Sequence, residues 1–471
     1  MPADLHRLAL AVLQPGFEGV TAPDWLRKAL GEGLGGAVLF ARNVSPATAD
    51  LVAALRAENP GVVVAIDEEG GVVTRLETGE GSSFPGNRAL GVVDDEELTE
   101  RVGRQIGRML AELDITLDYA PSVDVNANPA NPVIGVRSFG PTADLVARHS
   151  AAYVRGVQGA GVAACAKHFP GHGDTVTDSH LALPTVHASL AELRDRDLPP
   201  FRAAIEAGVR SIMCGHLLVP TLDPAMPATL SRTILTGLLR EELGFDGMLV
   251  TDAIEMKAVA AMYSPGEIAV RALRAGADAI CAGLVTAEGL AEIRDAIVAA
   301  VRDGSLPEER LAEAAGRVRA LSDWYGRQPR DAAPDAEAGM EAAVRALTVT
   351  GSARLTTAPL VVEVNTRHNQ AVDPNTPAGL AAALGEVLPG TERTSSPELS
   401  SVPGERPVVL VVHDAARHTW VRDTVAQAVR QRPDVIVVET GIPAEPAGAA
   451  HIATHGISKV SAKAVARWLT R

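Results

Sequence analysis

The chain has 471 residues, a length that predicts two to three domains. Its formal net charge of −15 argues against nucleic acid and anionic membrane surfaces as partners, and its apolar fraction of 46% excludes wholesale disorder. Cys165, Cys214 and Cys281 each lie in an apolar segment and are expected as buried side chains, not as a disulfide framework. The chain shows no secretory signal pattern and no apolar run that could span a bilayer, so a cytoplasmic location is expected.

Short apolar runs alternate with amphipathic stretches over the first 300 residues. The predicted strands are 8–13, 36–40, 61–67, 116–125, 162–168, 211–216, 247–252 and 277–283. Helical patterns lie between them, for example at 47–58, 96–113, 141–159, 231–243 and 286–302. Near-continuous apolar strands that alternate with helices indicate a parallel sheet covered on both faces, and eight such units favour a (β/α)8 barrel over an open doubly wound sheet.

Polar side chains recur where these predicted strands end. They are Asp67, Asp124, Lys167, His168, His216 and Asp252. A barrel would bring all of them to one mouth, whereas an open sheet would spread them along an edge.

The segment 325–340 is polar and carries two prolines, so it is expected to link two domains. The predicted organisation is a catalytic barrel over 1–325, a linker over 326–340 and a smaller C-terminal α/β domain over 341–471. Strands are predicted there at 359–364, 407–412 and 434–439, and helices at 339–347, 376–387, 415–430 and 459–470. The histidines of this part form no metal-ligand spacing and are expected as surface or cap residues.

Residues 167–180 (KHFPGHGDTVTDSH) contain three of the 12 histidines of the chain, with two aspartates and a lysine. The prolines and glycines of this run exclude a regular helix interior. A polar loop that leaves the end of a buried strand is a usual position for catalytic groups in α/β proteins. Asp178 precedes His180 by two residues, so an extended or turn conformation would let the carboxylate bond the imidazole and raise its basicity.

Asp252 closes the predicted strand 247–252 and has two interpretations. It could cap a helix over 253–262, or it could be a nucleophile or general base that faces the barrel mouth. A His–Asp pair opposite an aspartate nucleophile would suit a double displacement at a saturated carbon. Asp67, Glu68 and Glu69 close another strand beside two glycines and would suit hydroxyl groups or a metal ion, while Arg75, Arg137 and Lys167 supply cationic donors.

The segment 167–180 closely resembles the signature of the β-N-acetylglucosaminidase branch of family 3 glycoside hydrolases. Six further blocks follow the order of that family: 35–43 (GGAVLFARN), 66–75 (IDEEGGVVTR), 117–125 (LDYAPSVDV), 131–139 (NPVIGVRSF), 211–216 (SIMCGH) and 244–256 (GFDGMLVTDAIEM). Together the blocks cover about the first 330 residues. The resemblance implies a (β/α)8 barrel followed by a smaller α/β sandwich domain, although the C-terminal part resembles that domain only loosely.

The same resemblance implies roles for individual residues. Asp252 matches the catalytic nucleophile, His180 the acid/base and Asp178 its partner. The residues that match those holding the terminal N-acetylglucosamine are Asp67, Arg75, Arg137, Lys167 and His168. His172 and Asp174 are expected to shape the loop. Val72 departs from the pattern, because many relatives carry arginine there.

The predicted function is that of a retaining exo-β-N-acetylglucosaminidase, a β-N-acetylhexosaminidase, that acts on peptidoglycan-derived or chitin-derived oligosaccharides without a metal or another cofactor. Three alternatives stay open. Phosphate could replace water as the acceptor, because a neutral histidine in place of a carboxylate acid/base repels an anion less. A metal-dependent hydrolase could use His168, His172, Asp174, Asp178 and His180 as ligands. A non-catalytic sugar sensor is the third, and the presence of Asp252 and His180 argues against it.

Overall fold

The first 300 residues form short, buried parallel strands with helices between them. The computed structural model describes residues 4–179, 182–364, 371–396, 398–399 and 402–471. The strands of this part are β1 (Leu13–Pro15), β2 (Gly36–Leu39), β3 (Val63–Ile66), β4 (Leu117–Asp118), β5 (Ala163–Phe169), β6 (Ser211–Cys214), β7 (Met248–Thr251) and β8 (Ile280–Ala282). Every residue of these strands is buried, as a sheet covered on both faces requires.

These strands form a curled parallel sheet. Strands β2 to β7 pair in chain order, and β1 pairs with β8 so that Leu13 lies opposite Ile280. Isolated parallel bridges join Gly16 to Val38 at the end of β2, and Val250 in β7 to Ala279 beside β8. At Gly16 a Cβ atom would lie 2.2 Å from the carbonyl oxygen of Gly283, so only glycine permits this close approach.

The helices cover the sheet with their apolar faces. They are α1 (Leu5–Ala11), α2 (Asp24–Gly31), α3 (Thr48–Glu58), α4 (Asn87–Val93), α5 (Glu96–Glu112), α6 (Ala143–Gly159), α7 (Leu190–Glu192), α8 (Leu198–Glu206), α9 (Lys257–Ala260), α10 (Pro265–Ala275), α11 (Ala287–Arg302) and α12 (Glu308–Tyr325). Two π-helical segments, Leu193–Asp197 and Thr233–Glu242, lie among them. In α5 the carboxylate of Asp95 caps the first turn, and Leu98, Val102, Ile106 and Leu110 form the buried stripe.

The prediction of a strand over 8–13 was wrong. Residues 5–11 form α1, whose first turn is capped by the Asp4 carboxylate, and the strand begins only at Leu13. A continuous apolar run does not distinguish a buried helix from a buried strand. The N-cap at Asp4 is the local feature that favours the helix here. The predicted strand over 116–125 is also shorter, because only Leu117 and Asp118 pair with both neighbours.

The C-terminal part forms a second sheet. Helix α13 (Ala338–Ala346) leads into β9 (Thr348–Gly351), β10 (Leu360–Glu363), β11 (Glu392–Thr394), β12 (Val408–Val412), β13 (Ile436–Glu439) and β14 (Ala450–Ala453), with α14 (Leu380–Val387), α15 (Thr419–Gln431) and α16 (Lys459–Leu469). The strand order is β11-β10-β12-β13-β14-β9, parallel except for the antiparallel edge strand β9. Strands β9, β11 and β14 were not predicted; β9 and β11 are short and mostly exposed, which gives them little apolar signal.

Apolar side chains join the two parts of the chain. Val72, Val73 and Val136 pack with Val372 and Ile457 in one buried cluster. The valine at position 72 therefore fits an apolar contact with the C-terminal sheet region, where an arginine would bury its charge. Within the described ranges, every helix is too short or too polar to cross a bilayer.

Candidate active site

A cavity of about 550 Å³ opens at the carboxyl ends of the strands in the first sheet. Asp67 follows β3, and Asp252 follows β7. Lys167 and His168 lie near the carboxyl end of β5. The charged and imidazole side chains among its lining residues are Arg42, Asp67, Glu69, Arg75, Arg137, Lys167, His168, His172, Asp252, Glu255, Lys257 and Asp373.

The structure brings together most residues that the sequence assigned to the site. Asp67, Arg75, Arg137, Lys167, His168 and Asp252 all line this cavity. Asp178 is buried beside Ser179, and Ser179 also lines the cavity. His180 lies outside the described residues, so its pairing with Asp178 stays a prediction.

Glu69 organises the cationic groups of the cavity. Its carboxylate accepts two hydrogen bonds from Arg137, at 2.7 Å from Nη2 and 3.0 Å from Nε, and lies 2.8 Å from Nζ of Lys167. Burial opposes the ionisation of Glu69, but Arg137 and Lys167 outweigh it and hold the pKa of Glu69 well below its usual range. Arg137 is therefore held by a bidentate ion pair. This role of Glu69 was not predicted from the sequence.

Lys167 and Arg75 both approach Asp67. Nζ of Lys167 lies 2.6 Å from Oδ1 of Asp67, and Nη2 of Arg75 lies 3.8 Å from its Oδ2. Burial alone would lower the pKa of Lys167, but Asp67 and Glu69 raise it above its usual value, so the ammonium stays charged. Nε of Arg75 is buried and has no hydrogen-bond partner in the part of the chain that the structure describes.

Lys167 and His168 line the same cavity although they are neighbours in a strand. Successive side chains of a regular strand point to opposite faces. Here the register of β5 against β6 shifts between Lys167 and Phe169, and such an irregularity re-aims a side chain.

The buried carboxylate of Asp124 fixes His168 and the loop that follows it. Oδ2 of Asp124 lies 2.8 Å from Nδ1 of His168, and its Oδ1 accepts the backbone N–H of His172 at 2.6 Å. Burial would raise the pKa of Asp124, but the imidazole of His168 and these hydrogen bonds lower it. Asp124 is a positioning residue that the sequence marked only as a polar strand end.

Asp252 directly follows the last residue of β7, and it lines the cavity. Its backbone N–H donates to the carbonyl of Cys214 at 3.0 Å, and its Oδ1 accepts the N–H of Ala253 at 2.8 Å. Helix α9 begins only at Lys257, with Met256 at its N-cap position. Asp252 is thus not the cap of the following helix, and that interpretation was wrong.

The loop after His168 is held by contacts of His172 and Asp174. Nδ1 of His172 lies 2.7 Å from Oγ1 of Thr175, and burial lowers the pKa of His172 to about 4. Arg196 donates to Asp174 Oδ2 at 2.8 Å and also contacts both carboxylate oxygens of Asp197. These contacts support a structural role for His172 and Asp174.

Residues 2–321 match the family model described as the glycosyl hydrolase family 3 N-terminal domain. The chain belongs to glycoside hydrolase family 3. This finding confirms the resemblance that the sequence motifs indicated, and it covers the cavity apart from the contribution of residues 371–374.

Several individual relatives are β-hexosaminidases. The chain is 38% identical over 269 residues to β-hexosaminidase A of Pseudoalteromonas piscicida, an alignment that covers 52% of the chain but only 45% of that protein. It is 37% identical over 303 residues to a β-hexosaminidase of Pseudomonas aeruginosa, with 63% and 88% covered. A solved family 3 β-N-acetylglucosaminidase from Paenibacillus sp. str. FPU-7 is similar at a TM-score of 0.88 and 34% identity, over 99% of this chain and 97% of that one.

The C-terminal part of this family 3 chain also reaches the cavity. Ala371, Val372, Asp373 and Pro374 line it, and Nη2 of Arg75 donates to the carbonyl oxygen of Ala371 at 2.9 Å. No site residue was predicted in this part, because nothing local to 371–374 signals a contact with a loop some 300 residues away.

The candidate metal ligands do not converge within the described chain. Among the described residues, which do not include His180, no group of three or more histidine, cysteine, aspartate and glutamate side chains is placed to hold a metal ion. His168 and His172 instead bond to Asp124 and Thr175 through their Nδ1 atoms.

Proposed function

We propose that the chain is a retaining exo-β-N-acetylglucosaminidase, a β-N-acetylhexosaminidase that releases terminal N-acetylglucosamine from oligosaccharides derived from peptidoglycan or chitin. One observation carries the proposal. The carboxylate of Asp252 lines the same cavity as a dense set of hydrogen-bonding groups, among them Asp67, Arg75, Lys167 and His168. The β-hexosaminidase relatives support the choice of substrate class.

We propose for the fold a closed (β/α)8 barrel over 1–325, a linker over 326–340 and a C-terminal α/β domain over 341–471. The bridges Gly16–Val38 and Val250–Ala279 support closure, because they connect the β1–β8 pair to both ends of the β2–β7 sheet. A closed barrel would place all the strand ends around one mouth.

In the first chemical step, a carboxylate oxygen of Asp252 attacks the anomeric carbon of the terminal sugar. A bond forms between that oxygen and the carbon as the bond to the leaving oxygen breaks. The imidazole of His180 donates a proton to the leaving oxygen, and Asp178 stabilises the charged ring before the transfer.

In the second step, water attacks the anomeric carbon on the face that the leaving group vacated. His180 takes a proton from the water as the new C–O bond forms, and the Asp252 carboxylate departs with its electron pair. Two inversions at the same carbon return the sugar with its original β configuration.

The remaining groups bind the sugar. Asp67 would accept hydrogen bonds from hydroxyl groups, while Arg75, Lys167 and His168 would donate them. Glu69 keeps Arg137 and Lys167 in place, so the donors are oriented before the sugar arrives. A site built from hydrogen-bonding groups rejects sugars that leave those groups unpaired.

Phosphate as the acceptor is a second candidate. Lys257 and Arg42 line the same cavity as Asp252 and would attract an anion near the intermediate. In that case phosphate oxygen would replace water in the second step, and N-acetylglucosamine 1-phosphate would be the product.

One assay tests the function and separates the acceptors. Purified chain is given an aryl β-N-acetylglucosaminide and the matching aryl β-glucoside, with and without phosphate, and the products are followed by proton NMR. We expect β-N-acetylglucosamine as the first product and a kcat/KM at least about 100-fold higher for the N-acetylglucosaminide. Comparable kcat/KM values would contradict the substrate assignment, and an α-configured first sugar would contradict retention. Accumulation of the 1-phosphate would identify a phosphorylase.

A further inference from the structure

We propose that Asp373, in the C-terminal part of the chain, is a specificity-determining residue whose carboxylate accepts a hydrogen bond from a hydroxyl group of the terminal sugar. The inference rests on the proposed function and deepens it. It assigns the region after the first sheet a part in substrate binding.

Contacts of the two residues before Asp373 fix this segment in the cavity wall. Ala371 accepts the hydrogen bond from Nη2 of Arg75 at 2.9 Å. Val372 is buried against Val72 and Val136. These contacts hold the segment 371–374 against the loop that follows β3, so the position of Asp373 does not depend on a ligand.

Only one carboxylate oxygen of Asp373 accepts hydrogen bonds from the described residues. Its Oδ1 accepts from the backbone N–H of Asn375 at 2.9 Å and from Nδ2 of Asn375 at 3.1 Å. Within the described residues Oδ2 has no protein partner. An ionised carboxylate only accepts hydrogen bonds, and a sugar hydroxyl is a suitable donor.

A buried donor without a partner lies in the same wall. Nε of Arg75 has no hydrogen-bond partner among the described residues, and the Arg75 residue is only 9% exposed. An unpaired buried N–H costs free energy until a ligand satisfies it. Arg75 as donor and Asp373 as acceptor together match a hydroxyl group, which needs both.

The position of the segment points to the sugar and not to the leaving group. Ala371 contacts Arg75, whose guanidinium lies 3.8 Å from Asp67, and the proposed function assigns both Arg75 and Asp67 to the terminal sugar. Asp373 should therefore affect binding of the terminal sugar equally for every leaving group.

The test uses the full-length chain with Asp373→Ala, Asp373→Asn and the control Asp423→Ala, an exposed position on α15. We measure kcat and KM for aryl β-N-acetylglucosaminides with good and poor leaving groups, and inhibition by free N-acetylglucosamine. We expect Asp373→Ala to raise KM and the inhibition constant about 10-fold for both substrates, with a smaller change in kcat. Asp373→Asn should change them less, because its amide oxygen still accepts, and Asp423→Ala should match the wild type.

Three outcomes would contradict the proposal in different ways. Wild-type KM and inhibition constants in both Asp373 variants would overturn the role of Asp373 alone. A loss confined to poor leaving groups, relieved by added azide, would make Asp373 the acid/base. A wild-type chain that cleaves no N-acetylglucosaminide would overturn the proposed function itself. Urea unfolding of each variant shows that it is folded, and the half-exposed position of Asp373 makes folding of Asp373→Asn expected.

Discussion

Nδ1 of His168 lies 2.8 Å from Oδ2 of Asp124, and the same carboxylate accepts the backbone N–H of His172. Ser122 also donates to Asp124 Oδ2, at 3.0 Å. One buried carboxylate thus fixes the imidazole that we propose binds the sugar and the first turn of the loop that carries Asp178. The proposed sugar contact of His168 and the position of the loop therefore depend on the same carboxylate.

Replacing Asp124 by alanine should therefore damage both stability and binding. The change leaves buried donors of His168, His172 and Ser122 unpaired, which should cost about 2–4 kcal/mol of unfolding free energy. Urea unfolding at pH 7 measures this, and a higher KM should accompany it. The control Asp144→Ala removes a carboxylate whose side chain is 83% exposed and should cost less than about 0.5 kcal/mol. Equal losses in the two variants would contradict the anchor.

Asp252→Asn should abolish most turnover and leave the fold intact. The amide keeps the shape of the side chain but lacks the charge of the nucleophile, so kcat should fall by about 10³ or more. A slow fluorinated substrate that traps the glycosyl-enzyme should label Asp252 in the wild type, as read by peptide mass spectrometry. A label on Glu255, which lines the same cavity, would move the assignment there.

His180→Ala should lower the rate on poor leaving groups far more than on activated aryl leaving groups. Activated leaving groups need little protonation, so loss of the acid hardly affects them. Asp178→Asn should shift the pH profile of kcat/KM as well as reduce the rate, because in the proposed mechanism the Asp178 carboxylate raises the basicity of the imidazole. Equal losses on both classes of substrate would show that His180 does not transfer the proton.

His172 should make the unfolding free energy fall with decreasing pH. Burial lowers its pKa from 6.5 to about 4 in the folded state, so between these values the unfolded chain binds more protons. The fold therefore loses about 3 kcal/mol from this residue as the pH falls from 7 to 4. The unfolding free energy, measured by urea unfolding across this pH range, should therefore depend less steeply on pH for His172→Gln than for the wild type. His187→Gln, at an exposed position, is the control. Parallel curves for wild type and His172→Gln would refute the prediction.

Arg196 and Asp174 should differ in their effect on stability although they form one ion pair. Asp174 is partly exposed, so Asp174→Asn should cost about 1 kcal/mol or less. Arg196→Met leaves Asp197 without its cation, and the Asp197 side chain is only 1% exposed, so it should cost about 3 kcal/mol or more. Neither variant should alter the dependence on the leaving group. Similar unfolding free energies for the two variants would contradict the asymmetry.

The meeting of Asp67, Lys167, His168 and Asp252 at one cavity was predictable, because parallel strands bring their carboxyl ends to the same edge. The partners of these residues were not. Glu69 was visible only as one of three adjacent carboxylates, and its choice of Arg137 and Lys167 depends on loops distant in sequence. Asp373 carried no local signal at all. The error at 8–13 has a local cause, since an apolar run between Asp4 and Leu13 satisfies a helix and a strand equally.

Each sheet joins an early strand of its part to the last one. β1 pairs with β8, and β9, the first strand of the C-terminal sheet, pairs with β14. Such pairings have a high sequence separation, and the entropy of closing the intervening chain must be lost before they form. During synthesis on the ribosome, the backbone of β9 therefore stays unpaired until its partner strand β14, at Ala450–Ala453, has emerged. Exposed edges of this kind are the places where a nascent chain associates with other chains.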